Sequence, residues 1–252
     1  ARETIEISKL MIKKRIQIDK ESLTQLGTIA NQFNWHGEAV RFYKMTLEPV
    51  STYSYNYINY IKSLIRSGER THAQHIFSEL CEAPPEDGYD DFSVYRWYYI
   101  LIISTIYLQQ EEATKSLYSE AIQELNNDDV LTLERRIYFT YKQEQMHDKA
   151  HDFLQQLVED NPYSGPRWEL FGNYYQDCNL QDSTQICYEK AVQCYHSNPL
   201  GLRVILKLSD IYLAQNRKQD IVALFQNLLT CNQGKYHVHA RIKNWCENNE
   251  AS

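Results

Sequence analysis

The chain has 252 residues, 43% of them hydrophobic, which is enough to bury a substantial core in one large domain or along an elongated array. Its formal net charge of -7 at pH 7 argues against a general affinity for nucleic-acid phosphates, so no nucleic-acid partner is expected. With only 8 glycines and 6 prolines the chain lacks the turn residues that a many-stranded barrel or sandwich needs, and the composition predicts an all-α protein.

Hydrophobic runs and cysteines bear on the cellular compartment. The most apolar stretch, residues 98–108, falls short of the roughly 18 residues of a membrane span, so no membrane span is predicted. The six cysteines contain no CxxC pair and are expected to be free thiols, which favours a reducing cytoplasm. Because the sequence begins at Ala1, removal of a signal peptide or lipid anchor is an open alternative. The alternative location is then that of a periplasmic or outer-membrane lipoprotein.

Residues 1–19 predict an N-terminal helix. An interrupted apolar stripe at helical spacing is formed by Ile5, Leu10, Met11, Ile16 and Ile18. This stripe is expected to pack on the first unit of the array that follows.

From residue 20 to residue 235, large and small residues recur at a spacing near 34 residues. The units of this pattern begin near residues 20, 54, 95, 131, 165 and 202. In the unit that begins at residue 54, positions 4, 7, 11, 20 and 24 are Tyr57, Tyr60, Leu64, Ala73 and Phe77. Residues 53–57 alternate as a strand would, yet the helical spacing that follows predicts a helix. Residues 81–93, with two prolines and an acidic cluster, predict a lengthened loop.

The unit that begins at Gly165 carries the fullest motif, with Trp168, Phe171, Gly172 and Tyr175 at positions 4, 7, 8 and 11. The pattern resembles the tetratricopeptide repeat (TPR), a helix-turn-helix unit with the signature W-x2-L-G-x2-Y…A-x3-F…P. The resemblance implies an all-α, right-handed α-solenoid of about six TPR-like repeats with terminal capping helices. Each unit would bury its apolar face only by stacking on its neighbours.

In the TPR pattern, positions 8 and 20 are small so that the two helices of a unit approach closely. Gly172 fills position 8 of its unit, and Ala73 and Ala150 fill position 20 of theirs. We expect these three residues at close helix–helix contacts.

Residues 236–252 predict a C-terminal capping helix and tail. Val238, Ile242 and Trp245 follow one another at spacings of four and three, as the apolar stripe of a helix does. The predicted organisation is therefore an N-terminal helix over 1–19, a repeat array over 20–235 and a capping helix over 236–252.

No catalytic, cofactor-binding or metal-binding residue is predicted. The chain has no glycine-rich phosphate loop, no G-x-S-x-G and no H-E-x-x-H. Zinc-type ligands occur in an order that matches no zinc module, at Cys231, His237, His239 and Cys246. Carboxylate pairs at 111–112 and 128–129 fall in predicted inter-helix turns, where they would help to start the next helix. The protein is therefore predicted not to be an enzyme.

The resemblance to TPR proteins also implies a groove on the concave side of the array, lined by exposed positions of the first helix in each unit. In this sequence the candidate groove residues are Asn59, Lys62, Arg66, Arg96, Tyr99, Arg135, Arg136, Phe139, Lys142, Asn173, Arg203 and Lys207. Basic and aromatic residues predominate in this set although the whole chain is acidic. Arginine can hold a carboxylate with two parallel hydrogen bonds, so a peptide or protein ligand of acidic character is predicted.

The sequence thus favours a non-catalytic scaffold or adaptor that binds an acidic segment in this groove. An alternative is an assembly factor of the bacterial envelope, because the chain generally resembles repeat-containing pilus-assembly and secretion lipoproteins. A third reading, an enzyme resembling the helical-repeat subunit of protein prenyltransferases, lacks a catalytic constellation. The terminal helices are candidates for self-association.

Overall fold

A computed structural model describes residues 2–13, 18–50, 54–84, 91–196 and 198–250. All regular secondary structure within these ranges is helical. The helices are α1 Arg2–Lys13, α2 Lys20–Gln32, α3 His36–Leu47, α4 Asn56–Arg66, α5 Arg70–Cys81, α6 Asp91–Leu108, α7 Glu111–Glu124, α8 Asn127–Gln143, α9 His147–Asp160, α10 Gly165–Asp177, α11 Gln181–Tyr195, α12 Leu202–Ala214, α13 Lys218–Cys231 and α14 Tyr236–Glu250, with a 3-10 turn at Pro199–Gly201. The predicted all-α class is confirmed, whereas the handedness, the exact number of repeats and the three-part division of the chain stay predictions.

The chain divides into two compact units, unit 1 over Ala1–Thr140 and unit 2 over Tyr141–Ser252. In unit 1, α2 packs on α3, α4 on α5 and α6 on α7, and α4 also contacts both α2 and α6. In unit 2, α10 packs on α11, α12 on α13, and α11 on α12. Short links between packed neighbours make each pair an antiparallel hairpin, which is the helix-turn-helix arrangement that the sequence pattern predicts.

A left-handed residue follows the first helix of each hairpin, and another lies between α8 and α9. Within the described residues these positions are Asn34, Gly68, Gln109, Gln145, Asn179 and Asn216. The next residue donates its backbone N–H to the carbonyl five residues before it, as Trp35 does to Ala30 at 2.8 Å and Glu69 to Leu64 at 2.8 Å. This bond satisfies a helix-terminal carbonyl and turns the chain back into the second helix.

Tyrosines fill the core of unit 1. Tyr43, Tyr57 and Tyr60 have no exposed surface, and the hydroxyl of Tyr57 donates to the backbone carbonyl of Leu47 at 2.8 Å. Ala73, at small position 20, is also fully buried. Of the stretch that alternates in the sequence, residue 53 lies outside the described residues, and helix begins at Asn56. Residues 85–90 of the predicted long loop also lie outside them.

The predicted close contact at Gly172 is confirmed in unit 2. A Cβ atom on Gly172 would overlap the ring of Tyr188, which is itself fully buried at position 24 of the same repeat. Ala150, with 1% of its surface exposed, occupies position 20 as the register requires. Because Gly172 has no side chain, the tyrosine ring fits between α10 and α11.

The terminal helices follow the sequence prediction only in part. In α1, Ile5 is 2% exposed, but Leu10 is 52% exposed, so the prediction that Leu10 belongs to the packed stripe is wrong. Five steps of about 100° place Leu10 roughly 140° around the helix from Ile5, too far to share its face. The side chain of Met11 and all of Ile16 lie outside the described residues.

The C-terminal helix α14 packs on α12 and α13 as expected of a capping helix. Val238 is fully buried and Ile242 is 6% exposed. The indole Nε1 of Trp245 donates to Asp210 of α12 at 2.7 Å, which ties the outer turn of α14 to the array.

Candidate functional site

A depression of about 480 Å³ opens on unit 1 between α4, α6 and α8. We call it the tyrosine–arginine groove. It is lined by Tyr55, Ile58, Asn59, Tyr95, Tyr99, Thr132 and Arg136. Three of the predicted groove residues, Asn59, Tyr99 and Arg136, thus lie around one depression.

Tyrosine rings form the floor of this groove. Tyr95 and Tyr99, one turn apart on α6, stack with centroids 6.1 Å apart and planes 5° apart. Tyr55 meets Tyr99 edge to face at 5.4 Å. Such ring pairs give a rigid apolar surface, since a tyrosine has few side-chain torsions to restrict.

Two arginines cover the faces of these rings. The guanidinium carbon of Arg96 lies 5.0 Å from the centroid of Tyr55, and that of Arg136 lies 5.9 Å from the centroid of Tyr99. The ring faces are electron-rich, so each contact holds a guanidinium over an aromatic surface by a cation–π interaction.

Tyr95 and Tyr99 carry neutral hydroxyls at physiological pH. Burial raises the pKa of Tyr95 to about 12, with a smaller contribution from the neighbouring Tyr55. Burial also raises the pKa of Tyr99, although the positive charge of Arg136 acts in the opposite direction. Neutral hydroxyls can donate hydrogen bonds to an anionic ligand, which a tyrosinate could not do.

The remaining predicted residues of unit 1 lie on the same three helices. Asn59 accepts a hydrogen bond at 3.2 Å from Asn31, and the ammonium of Lys62 lies 5.2 Å from the ring centroid of Tyr107. Arg66 is exposed in the last turn of α4. Phe139 is 47% exposed. Arg135 is half-buried and is not among the residues that line the groove.

In unit 2 the predicted basic residues bind acidic or amide side chains of the same unit. Arg203 Nε donates to Glu169 Oε1 at 2.6 Å, and Glu169 is only 2% exposed. Lys207 Nζ donates to Asn173 Oδ1 at 2.6 Å, and Lys142 pairs with an Asp177 oxygen at 2.5 Å. The first two contacts link α10 to α12, so these residues connect consecutive repeats.

The buried acid in this network has a second donor. The hydroxyl of Tyr195 donates to Glu169 Oε2 at 3.0 Å, so both carboxylate oxygens accept a hydrogen bond. The Nε–H of Arg203 is thereby already used by a carboxylate of unit 2. Burial also lowers the pKa of Lys207, since desolvation disfavours its charged form.

The predicted basic residues of the groove therefore differ in their contacts. Arg96 and Arg136 lie on the tyrosines of unit 1, whereas Lys142 belongs to unit 2 and pairs with Asp177. Arg136 is exposed and forms no salt bridge with any residue that the structure describes. The set of groove residues predicted from the sequence lacks four that line the groove, namely Tyr55, Ile58, Tyr95 and Thr132. For Tyr95, the i, i+4 spacing to Tyr99 was the available signal.

A second depression, also of about 480 Å³, lies between α2 and α4 of unit 1. Its lining residues are Glu21, Thr24, Gln25, Thr28, Ile29, Gln32 and Asn56. These side chains are mostly uncharged and polar, and none of them was predicted as a site residue.

Three other sequence expectations concern metal binding, membrane spans and paired carboxylates. Within the residues described, no three or more His, Cys, Asp and Glu side chains come together in a way that could hold a metal ion. No described helix has the length and apolar character of a membrane span. The carboxylate pairs expected in inter-helix turns lie instead in the first turns of α7 and α8, where the helix dipole favours them.

Comparison with known proteins gives distant likenesses. No protein-family model matches the chain, and no curated protein sequence matches it. Among solved structures, MamA 41-end from Desulfovibrio magneticus RS-1 shares 13% identity, covers 71% of this chain and 94% of its own, and has a TM-score of 0.37. YrrB, described as a TPR protein with an unusual peptide-binding site, shares 16% identity over 78% of this chain and 95% of its own, with a TM-score of 0.36.

BtubC (BKLC) from P. vanneervenii shares 13% identity over 90% of this chain and 93% of its own, at a TM-score of 0.36. The assignment of repeats rests on the chain's own geometry: antiparallel helix pairs, left-handed turns between them and the Gly172–Tyr188 contact. By these features the chain is an all-helical protein built of antiparallel helix pairs, whose arrangement is similar to the tetratricopeptide pattern of its sequence.

Proposed function

We propose that this protein is a non-catalytic adaptor that binds a segment of another protein in the tyrosine–arginine groove. The segment carries at least one carboxylate beside an apolar side chain. The observation that carries the proposal is the position of Arg136: exposed, held over the ring of Tyr99, and without a salt bridge in the described part of the chain.

An acidic ligand suits this position for two reasons. A guanidinium can bind a carboxylate through two parallel N–H donors, and the Tyr99 ring already restricts the orientation of Arg136 before binding. The tyrosine floor can cover an apolar side chain next to that carboxylate. Arg203 of unit 2 offers a contrast, because its Nε already donates to Glu169.

The proposal includes a compartment and an assembly state. All six cysteines are free, and Cys81 and Cys231 are exposed. Exposed thiols oxidise readily in oxidising compartments, so these free thiols support a location in a reducing cytoplasm. Self-association through the terminal helices is supported by Ile7 and Leu10 of α1, which are 58% and 52% exposed. The envelope assembly factor stays the alternative prediction, with the same groove as its binding surface.

The experiment uses a display library of random 12-residue peptides selected on the full chain. We expect an enriched pool that is rich in Asp, Glu and apolar residues. Fluorescence polarisation with a peptide from this pool should show that Arg136→Glu weakens binding at least about 10-fold, the size of a typical hot-spot loss. Tyr99→Ala should weaken binding to a similar extent.

Arg135→Glu is the matched control, because it makes the same charge change one residue away and outside the groove lining. Its affinity should stay within roughly threefold of the wild type, since its charge acts only through screened solvent. Equal losses in the two variants, or an enriched pool without acidic residues, would refute the proposal.

A further inference from the structure

The two depressions of unit 1 lie side by side on α4. Asn56 lines the depression beside α2, and Asn59, one turn further along the same helix, lines the tyrosine–arginine groove. The hydroxyl of Thr28 lies 3.5 Å from the side-chain oxygen of Asn56, and Asn31 donates to Asn59 at 3.2 Å, so α2 and α4 meet along this line. A ligand seated in the groove can therefore continue onto α2.

The two ends of this continuous face have opposite charge. Glu21 is the one charged residue among those that line the α2 depression, and it is exposed. Arg136 is the one charged residue among those that line the groove. A ligand that runs between them meets a negative charge at one end and a positive charge at the other.

The α2 depression also offers side chains that suit an extended backbone. Gln25 and Gln32 are exposed, and their amides form no hydrogen bond with other residues in the described ranges. An amide can donate to a carbonyl and accept from an N–H at the same time. An extended segment presents both groups along its length, whereas a helix has already paired them internally.

We infer that the ligand of unit 1 is an extended segment bound with a fixed charge polarity: its acidic end lies against Arg136 and its neutral or basic end lies against Glu21. This inference rests on the proposed function and adds the conformation and direction of the ligand. From α2 to α8 the face crosses three helix spacings of about 8–10 Å, or roughly 25–30 Å. An extended chain rises about 3.3 Å per residue, so the ligand has roughly eight or nine residues.

The test uses the same library of random 12-residue peptides, read by position. Selection on the wild type should enrich acidic residues in one half of the peptide and neutral or basic residues in the other. Selection on Glu21→Lys should enrich acidic residues in both halves, because both ends of the face are then positive. Glu112→Lys makes the same change on α7 outside both depressions and should leave the wild-type distribution intact.

A synthetic pair sharpens the measurement. One peptide is taken from the enriched pool, and the second has its acidic block moved to the opposite end. The second should bind the wild type at least about 10-fold more weakly, and this difference should shrink to less than about threefold on Glu21→Lys.

Acidic residues spread evenly over both halves on the wild type would overturn the polarity while leaving the proposed function intact. Apolar residues enriched at helical i, i+3, i+4 spacing would overturn the extended conformation in the same way. If the selected peptides bind Arg136→Glu as tightly as the wild type, the proposed function itself is refuted. Concentration-dependent self-association abolished by Arg136→Glu would show that a second copy, not a peptide, occupies the face.

Discussion

Arg203 and Glu169 join α12 to α10 through a hydrogen bond of 2.6 Å, and they stand 34 residues apart in the chain. Glu169 is 2% exposed, while the Arg203 side chain keeps 59% of its surface in solvent. Lys207 and Asn173, also 34 residues apart, form a second bond one turn further along the same two helices. In unit 2, therefore, residues that the sequence pattern marks as a binding surface connect one repeat to the next.

Replacement of Glu169 tests this structural role. In Glu169→Gln the buried end of the pair loses its charge, and we expect the free energy of unfolding in urea to fall by about 1–2 kcal/mol. Loss of one partner of a fully buried pair costs about 3–5 kcal/mol, and the exposure of Arg203 reduces that figure. Lys115→Gln, which removes an exposed pair with Glu111, should leave the urea midpoint of the wild type unchanged, because solvent screens that pair. Equal effects of the two variants would contradict the structural role of Glu169.

The contact of Gly172 with Tyr188 predicts a size limit at position 8. Gly172→Leu should lower the free energy of unfolding by roughly 1–3 kcal/mol or more, because its side chain must displace the buried ring. Gly37→Ala in α3 is the control: an added Cβ there meets nothing within 4 Å, and alanine favours helix. That variant should be neutral or more stable by up to about 1 kcal/mol. A Gly172→Leu protein as stable as the wild type would contradict the register assigned to this repeat.

Buried tyrosines predict a loss of stability at alkaline pH. Burial raises the pKa of Tyr43 to about 12, and its hydrogen bonds with Thr28 and Asn59 act in the opposite direction. Because the pKa of Tyr43 is higher in the folded state, the stability that this residue contributes is complete below pH 10. It is lost between pH 10 and 12, because the unfolded state ionises first. For Tyr43 alone the loss is roughly 1 kcal/mol at pH 11.

Urea unfolding at pH 9, 10 and 11, together with tyrosinate absorbance, measures this effect. Tyr43→Phe should flatten the pH dependence, because phenylalanine cannot ionise. A Tyr43→Phe protein whose stability declines with pH as steeply as that of the wild type would assign the alkaline loss to other groups.

The thiols predict a graded reactivity. After unfolding without reductant, titration should find six free groups, and fewer would contradict a thiol-only chain. In the folded protein Cys81 and Cys231 are exposed, so one of the fast-reacting groups should disappear in Cys231→Ser. Cys187 is buried, and desolvation raises its pKa to about 11, so it should react slowly at pH 8. Rapid modification of Cys187 in the folded protein would contradict its burial.

The sequence by itself determined the helical class and the register of the repeat that contains Gly172. Both depend on local spacing: Gly172 at position 8 leaves room for Tyr188 at position 24, and Val238 and Ile242 mark one face of α14. Left-handed turns at Asn34, Asn179 and Asn216 use a residue that tolerates positive φ, but the same turns at Gln109 and Gln145 carry no such signal. There the requirement of the hairpin overrides local preference.

Only the tertiary structure decided which polar side chains are paired. Arg136 and Arg203 are both predicted groove residues on the first helix of a repeat, yet one lies over Tyr99 in the open groove and the other donates to a buried carboxylate. Whether a cation is paired depends on side chains about one repeat away, and periodicity gives no information on their rotamers. The α2 depression likewise depends on the approach of two helices, so Glu21 and Gln25 became candidate ligand contacts only when α2 and α4 were brought together.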